Sequence, residues 1–327
     1  MKNVNPRHGS MQFWPRKRAA RAYARVRSLP TVKDAKPLVF AGYKVGMTHL
    51  IGIDTQKNSP TKGDQVAYPV TVIECPNLKI VSVRTYKANG YGSSVNQELF
   101  FKHDKELLRK TTVPTKLASI EDLDKLDLTD VLDVTAVVNT QPNKTGLGKK
   151  TPDVFEISFG GSDKEKINYL KNHLDLGIAI TDVFSAGSVV DARSVTKGKG
   201  FQGPVKRFGV SIRSHKSEKT IRGPGSLGPW KGQGHIMYRV AYAGQMGFHQ
   251  RTQYNNQILM ISEDLDKVNP KGGFVRYGNV KSQYVLIKGS VPGPSKRLIH
   301  LTAPLRSTQQ PALPTIEYVS VESKQGN

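Results

Sequence analysis

The chain has 327 residues, with 49 Lys and Arg against 26 Asp and Glu, and a formal net charge of +23. Hydrophobic residues make up 37%, low for a compact globule but suited to a core with large solvated or partner-wrapped excursions. Cys75 is the single cysteine, which excludes an intrachain disulfide and a cysteine-based zinc site and suits a reducing compartment. No apolar run is long enough to span a membrane, and no apolar signal segment follows the basic N-terminus.

Residues 1–36 carry +9 and read as a basic N-terminal extension. Arg7, His8, Arg16, Lys17, Arg18, Arg21 and Arg25 are candidate contacts to phosphate or bases. Phe13, Trp14 and Tyr23 sit among these charges, and solvated tails seldom hold aromatics, whereas nucleic-acid bases stack on them. From Leu38 the texture changes to strands over 43–53, 66–75 and 78–86, with a tight turn at Pro76–Asn77. Strand texture returns over 178–195, 257–262, 280–288 and 316–321. The expectation is a mainly β protein with an α+β insertion, its core one closed β-barrel built from 37–91, 178–196 and 251–327. The insertion, 92–177, is nearly neutral. Ser162 and Glu165 form a capping box ahead of Ile167, Leu170 and Leu174, and Gly177 stops the helix. Two weaker helices are expected around 97–110 and 119–127.

The stretch 191–251 holds twelve Lys and Arg against two acids, Asp191 and Glu218. So cationic a segment, rich in Gly and Pro and short of apolar side chains, will not pack alone and needs a shaped anion. Residues 197–250 therefore read as a long basic loop that enters a folded nucleic acid. Gly198–Val205 matches G-x-G-x-x-G-x-V, but no apolar helix follows Pro204, so a dinucleotide site is not expected. The same glycines let backbone approach phosphates, with Lys197, Lys199, Lys206 and Arg207 supplying charge and Phe201 and Gln202 between them. Further along, Arg213, Lys216, Lys219, Arg222, Lys231, Arg239 and Arg251 are candidate phosphate contacts. His215, His235, Gln245 and His249 are candidates for phosphate or base contact. The histidine spacing is too loose for a metal site. Trp230, flanked by Pro229, Lys231 and nearby glycines, reads as an aromatic finger that stacks against RNA. Gly146–Thr151 fails as a phosphate-binding P-loop because residue 143 is Asn and Lys150 precedes Thr151. No catalytic acid–base cluster, nucleophile arrangement, cofactor site or metal site is expected.

PRHGSMQFWPRKRA (6–19), GYKVGMTH (42–49), GLGKKTPDVFEI (146–157) and VTKGKGFQGPVKRFG (195–209) carry a close resemblance. GSLGPWKGQGH (225–235), AGQMGFHQRTQYNNQI (243–258) and VPGPSKRLI (291–299) extend it nearly end to end. Together, and in this order, they resemble the universal large-subunit ribosomal protein number three family, in its archaeal and eukaryotic form. The resemblance implies a barrel like the second domain of translation elongation factors, with long extensions running into large-subunit rRNA. It implies a structural constituent, an early binder in assembly, whose central loop reaches toward the peptidyl transferase centre with Trp230 at its tip. Partners would be rRNA and neighbouring ribosomal proteins, with no membrane or small-molecule substrate, and the location cytoplasmic. The family's histidine modification does not transfer, because 215–226 places no histidine clearly at that point. A chain ending soon after its last strand favours the archaeal form.

An RNA-modifying enzyme with a barrel-type module would need a cofactor pocket or acid–base cluster. A soluble translation factor sharing the barrel would cycle off the ribosome in high salt.

Overall fold

The computed structural model describes residues 6–228, 234–306, 310–323 and 325. These divide into two compact units: Tyr23–Ser194 with Thr252 onward, and the basic segments up to Ala22 with Val195–Arg251.

In the larger unit, β1 (Val39–Ile53) and β2 (Gln65–Glu74) form a long antiparallel pair. β3 (Lys79–Asn89), β4 (Gly92–Phe100), β5 (Val131–Asn139) and β6 (Val154–Ser158) follow, then helix α1 (Asp163–His173). The remaining long strands are β7 (Val189–Val195), β10 (Gln250–Ser262), β11 (Tyr284–Lys288), β12 (Leu298–Thr302) and β13 (Thr315–Val319). Between β7 and β10 the chain makes the basic excursion, which holds β8 (Phe201–Gln202), helix α2 (Pro204–Phe208) and β9 (Gly244–Gln245).

Seven strands run in the order β12-β7-β10-β11-β2-β1-β13, and β1 also pairs with β12, so the pairing returns on itself through six of them. The length of β1 makes this possible. Val39–Tyr43 pairs with β12, while Leu50–Ile53 pairs with β13, beyond a register shift between Lys44 and Gly46 on its β2 side. β7 and the first four residues of β11 are wholly buried; β11 is apolar there, while in β7 the buried Asp191 accepts from Asn255 N–H (2.9 Å) and Leu305 N–H (3.1 Å). Phe40, Tyr43, Val72, Ile73, Ala192, Tyr284, Leu286, Ile299 and Leu301 lie at the centre, each at most 1% exposed. Each buried large apolar side chain contributes roughly 1.5–3 kcal/mol.

The second sheet runs β4-β3-β5-β6, all antiparallel. The segment 78–86, read from sequence as part of the barrel, is therefore the central β3 of this other sheet. Strand texture alone cannot choose between two possible neighbours. Of the two weak helices expected here, residues 97–100 belong to β4, and only short 3-10 turns form at Lys105–Arg109 and Ile120–Leu123. Ladder bonds to β3 capture the first segment, and the rest is too short to propagate a helix. The α1 expectation holds at its start: Ser162 N–H donates to Glu165 Oε2 (2.9 Å), and Ile167 and Leu170 are buried on β5. Strands β5, β6 and β12 had no counterpart in the sequence reading.

Residues 23–36 are not free. Ala24 is buried, Tyr23, Val26, Leu29 and Val32 pack against the core, and Arg193 Nη2 donates to Ser28 O (2.8 Å). Within 1–36, the part that leaves the body ends at Ala22.

Candidate nucleic-acid interface

The smaller unit joins the two most cationic segments of the chain. Its spine is an antiparallel stalk. Thr196 N–H donates to His249 O (2.9 Å), Lys199 N–H to Met246 O (2.9 Å) and Met246 N–H to Gly200 O (2.9 Å). Phe201 and Gln202 then pair with Gln245 and Gly244 as β8 and β9. The N-terminal segment lies along this stalk, with Ala19 N–H donating to Phe248 O (2.9 Å). Further out, Arg213 N–H donates to Ile221 O (2.9 Å) and Met237 N–H to Leu227 O (3.1 Å).

Like charges are held together here because arginine donates to carbonyls. Arg207 donates to Gln245 O (3.0 Å), Tyr242 O (2.8 Å) and Arg16 O (3.2 Å), and Arg16 donates back to Arg207 O (3.4 Å). Arg7 donates to Arg239 O (2.7 Å). Aromatic faces seat the same guanidinium groups. Arg16 and Arg207 lie 4.5 and 5.0 Å from the Phe208 ring, Arg7 5.3 Å from Trp14, and Arg251 5.0 Å from Phe13. Trp14 meets Phe208 and Tyr238 at 5.6 and 5.1 Å. Burial lowers the Arg16 and Arg207 pKa values, each lowered further by a neighbouring arginine. Within these segments, which lack an apolar core, guanidinium donors and a few rings supply the internal contacts.

The sequence candidates separate into two sets. Arg16, Arg207, Gln245, His249 and Arg251 are turned inward. His249 is buried, its Nδ1 lies 3.0 Å from Lys17 O, and burial lowers its pKa. Gln245 donates to Met246 O (3.2 Å) and Gly247 O (2.9 Å), and Gln202 to Lys199 O (2.7 Å). Trp14 is half-buried among rings rather than free for a base, and Tyr23 packs toward His300 in the larger unit. The outward set is Lys17, Arg18, Arg21, Lys197, Lys199, Lys206, Arg213, His215, Lys216, Lys219, Arg222, His235 and Arg239, all exposed, with Phe201 75% exposed. Arg7 is exposed and His8 half-buried, while Arg25 is exposed on the larger unit. Trp230 and Lys231 lie outside the described residues.

A short helix, α2, follows Gly203 without the apolar stripe a dinucleotide site needs; Pro204 opens it and Gly209 closes it in the left-handed conformation. It is one turn long and anchors Phe208. Sequence reasoning also missed Phe208, the ring on which Arg16, Arg207 and Trp14 converge. Its signal was the Arg207–Phe208–Gly209 run. Gly9 passes close beside it, at φ +78°, where an added Cβ would meet Phe208 Cδ1 at 3.0 Å.

Among the described residues no group of His, Cys, Asp and Glu side chains is placed to hold a metal ion. The fold and this surface define a mainly β protein that carries a folded cationic module. The family model described as Ribosomal protein L3 matches residues 1–326. Large ribosomal subunit protein uL3 of Methanothermobacter thermautotrophicus is 46% identical over 332 residues, covering 98% of each chain. Its counterpart in Methanococcus vannielii is 44% identical over 100% of this chain and 99% of that one. The Archaeoglobus fulgidus protein is 44% identical over 100% of both. This chain belongs to the ribosomal protein L3 family, a family of structural ribosomal proteins and not of enzymes.

Proposed function

We propose that this protein is a structural constituent of the large ribosomal subunit in the cytoplasm that binds large-subunit rRNA and supports early subunit assembly. The observation that carries the reading is the cationic module, in which inward arginines fix the fold while lysines, arginines and histidines face solvent. In this reading the ring of six paired strands is a closed barrel of the translation-factor type, anchored on the subunit. The part of 1–36 up to Ala22 and residues 197–250 are the extensions that hold rRNA helices together. The insertion 92–177 stands outside the barrel, and the central loop extends toward the peptidyl transferase centre. Neighbouring ribosomal proteins are the other partners.

Each cation–phosphate contact releases counterions, so affinity for rRNA falls steeply with salt. Fractionation of native extract on a high-salt sucrose gradient tests the assignment. Near-stoichiometric retention on the large subunit is the expected result. Release of the protein with the subunit intact would overturn it.

A further inference from the structure

The insertion, 92–177, carries −2, but that average hides two segments of opposite charge. Residues 101–118 carry +3, and 119–177 carry −4. The first segment is an ordered loop whose ends are tied to the neighbouring strands β3 and β4. Phe101 N–H donates to Val81 O (2.9 Å) and Ala118 N–H to Phe100 O (2.7 Å). Phe101 and Leu107 are its buried anchors, 5% and 0% exposed, and a 3-10 turn at Lys105–Arg109 shapes its middle. A compact loop closed in this way and pinned by its own side chains holds its surface groups in fixed places.

Ion pairing is uneven across the insertion. Lys125 pairs with Asp122 (2.9 Å), Lys166 with Asp133 (2.7 Å) and Asp163 (2.9 Å), Lys171 with Asp124, and Arg84 with Glu98 (2.9 Å). On the loop the pattern reverses. Asp104 is taken by Lys79 (2.7 Å), and Glu106 is half-buried. Lys102, Lys105, Arg109, Lys110 and Lys116 are exposed, and among the described residues none has a carboxylate within ion-pair distance. Five cations on one short loop against two acids, one of them engaged by Lys79, leave a positive potential that a polyanion relieves.

We propose that the 101–118 loop is a separate RNA-binding surface that grips a phosphodiester backbone independently of the cationic module. This rests on the rRNA-binding reading and extends it to a part of the chain whose net charge conceals it. Lysine and arginine without interleaved aromatics, alongside the hydroxyls of Thr111, Thr112 and Thr115, fit backbone contact rather than base stacking.

The test uses the full-length protein with Lys102, Lys105, Arg109, Lys110 and Lys116 all changed to Gln, beside the wild type and a variant with Lys197, Lys199 and Lys206 changed to Gln. Binding to purified large-subunit rRNA is titrated over a range of salt. The slope of log affinity against log salt should lose about 0.9 for each phosphate the loop neutralises, so roughly 2 to 4 in all. Thermal melting should stay unchanged, since none of the five is in an ion pair. In assembled subunits, Lys102, Lys105, Lys110 and Lys116 should be shielded from acetylation and cross-link to RNA. An unchanged slope, or cross-links from this loop only to another protein seated on exposed Leu108 and Leu117, would overturn the proposal. A wild type with no salt-dependent binding would instead overturn the rRNA reading itself, and the module variant separates the two.

Discussion

Two buried polar residues in the larger unit show how a single side chain can hold distant segments. Glu74 is fully buried and accepts from Tyr277 Oη, from Lys281 N–H (2.6 Å), from Ser282 N–H (2.9 Å) and from Gly146 N–H (3.3 Å). It thereby ties β2 to loops 70 and more than 200 residues away. Burial pushes the Tyr277 phenol up, and the Glu74 carboxylate raises it further. Glu74→Gln swaps one acceptor for a donor among groups that all donate, and should destabilise the protein by about 2–4 kcal/mol in urea unfolding. His300 is the second case. It lies between Phe155 (4.5 Å) and Tyr23 (6.0 Å), with both ring nitrogens buried and lacking hydrogen-bond partners among the described residues. Burial lowers its pKa from 6.5 to about 4, with Asp153 opposing and Arg193 adding to the shift. Above pH 6.5 the ring is neutral in both states. As pH falls from 6.5 to 4 only the unfolded chain takes up the proton, so stability should drop by roughly 3 kcal/mol and then level off. His300→Phe should remove that component from the pH dependence of the urea midpoint. Neither role was legible beforehand: Glu74 read as an ordinary strand residue and the strand holding His300 was not expected, because burial depends on partners far along the chain.

At the scale of elements, the stalk depends on one backbone crossing. Gly247 has φ +69°, and an added Cβ would lie 2.1 Å from Lys197 O. Gly247→Ala should strain this site by at least about 1 kcal/mol and splay the two legs. Limited proteolysis should then cut faster within 197–250, while the melting of the larger unit stays the same. The N-terminal extension gives a sharper contrast with the sequence. Its composition is uniform from Arg16 to Arg27, yet Tyr23 and Ala24 onward pack on the core. In the free protein, proteolysis should trim residues before Ala22 and spare 23–36. Loss of the whole of 1–36 at one rate would count against this division. Strands rich in Val, Ile and Tyr were readable as strands, and the Ser162–Glu165 box located α1, because those signals are local. Pairing partners were not readable: β3 joined the second sheet, and β12, with a histidine at its centre, was missed. Strand texture records an exposed or covered face, and it carries no record of which strand supplies the next ladder.

For the whole molecule, charge is the property that composition determined. The segregation of positive charge into the N-terminal and 191–251 segments was visible by counting, and so was the single cysteine, which rules out an intrachain disulfide. The family model matches residues 1–326, and the two basic segments are the interface proposed for it. The whole-molecule expectation is additive. Neutralising outward lysines of the module and those of the 101–118 loop together should reduce the salt slope by the sum of the separate losses, as expected for independent sites. What the sequence by itself determined is the class of partner, since a charge is a property of a residue type and sums along the chain. Only the tertiary structure decided which cations face outward and which are turned inward to cross-link their own module. A guanidinium group presents the same five donors to a carbonyl as to a phosphate, and which one it meets depends on the fold.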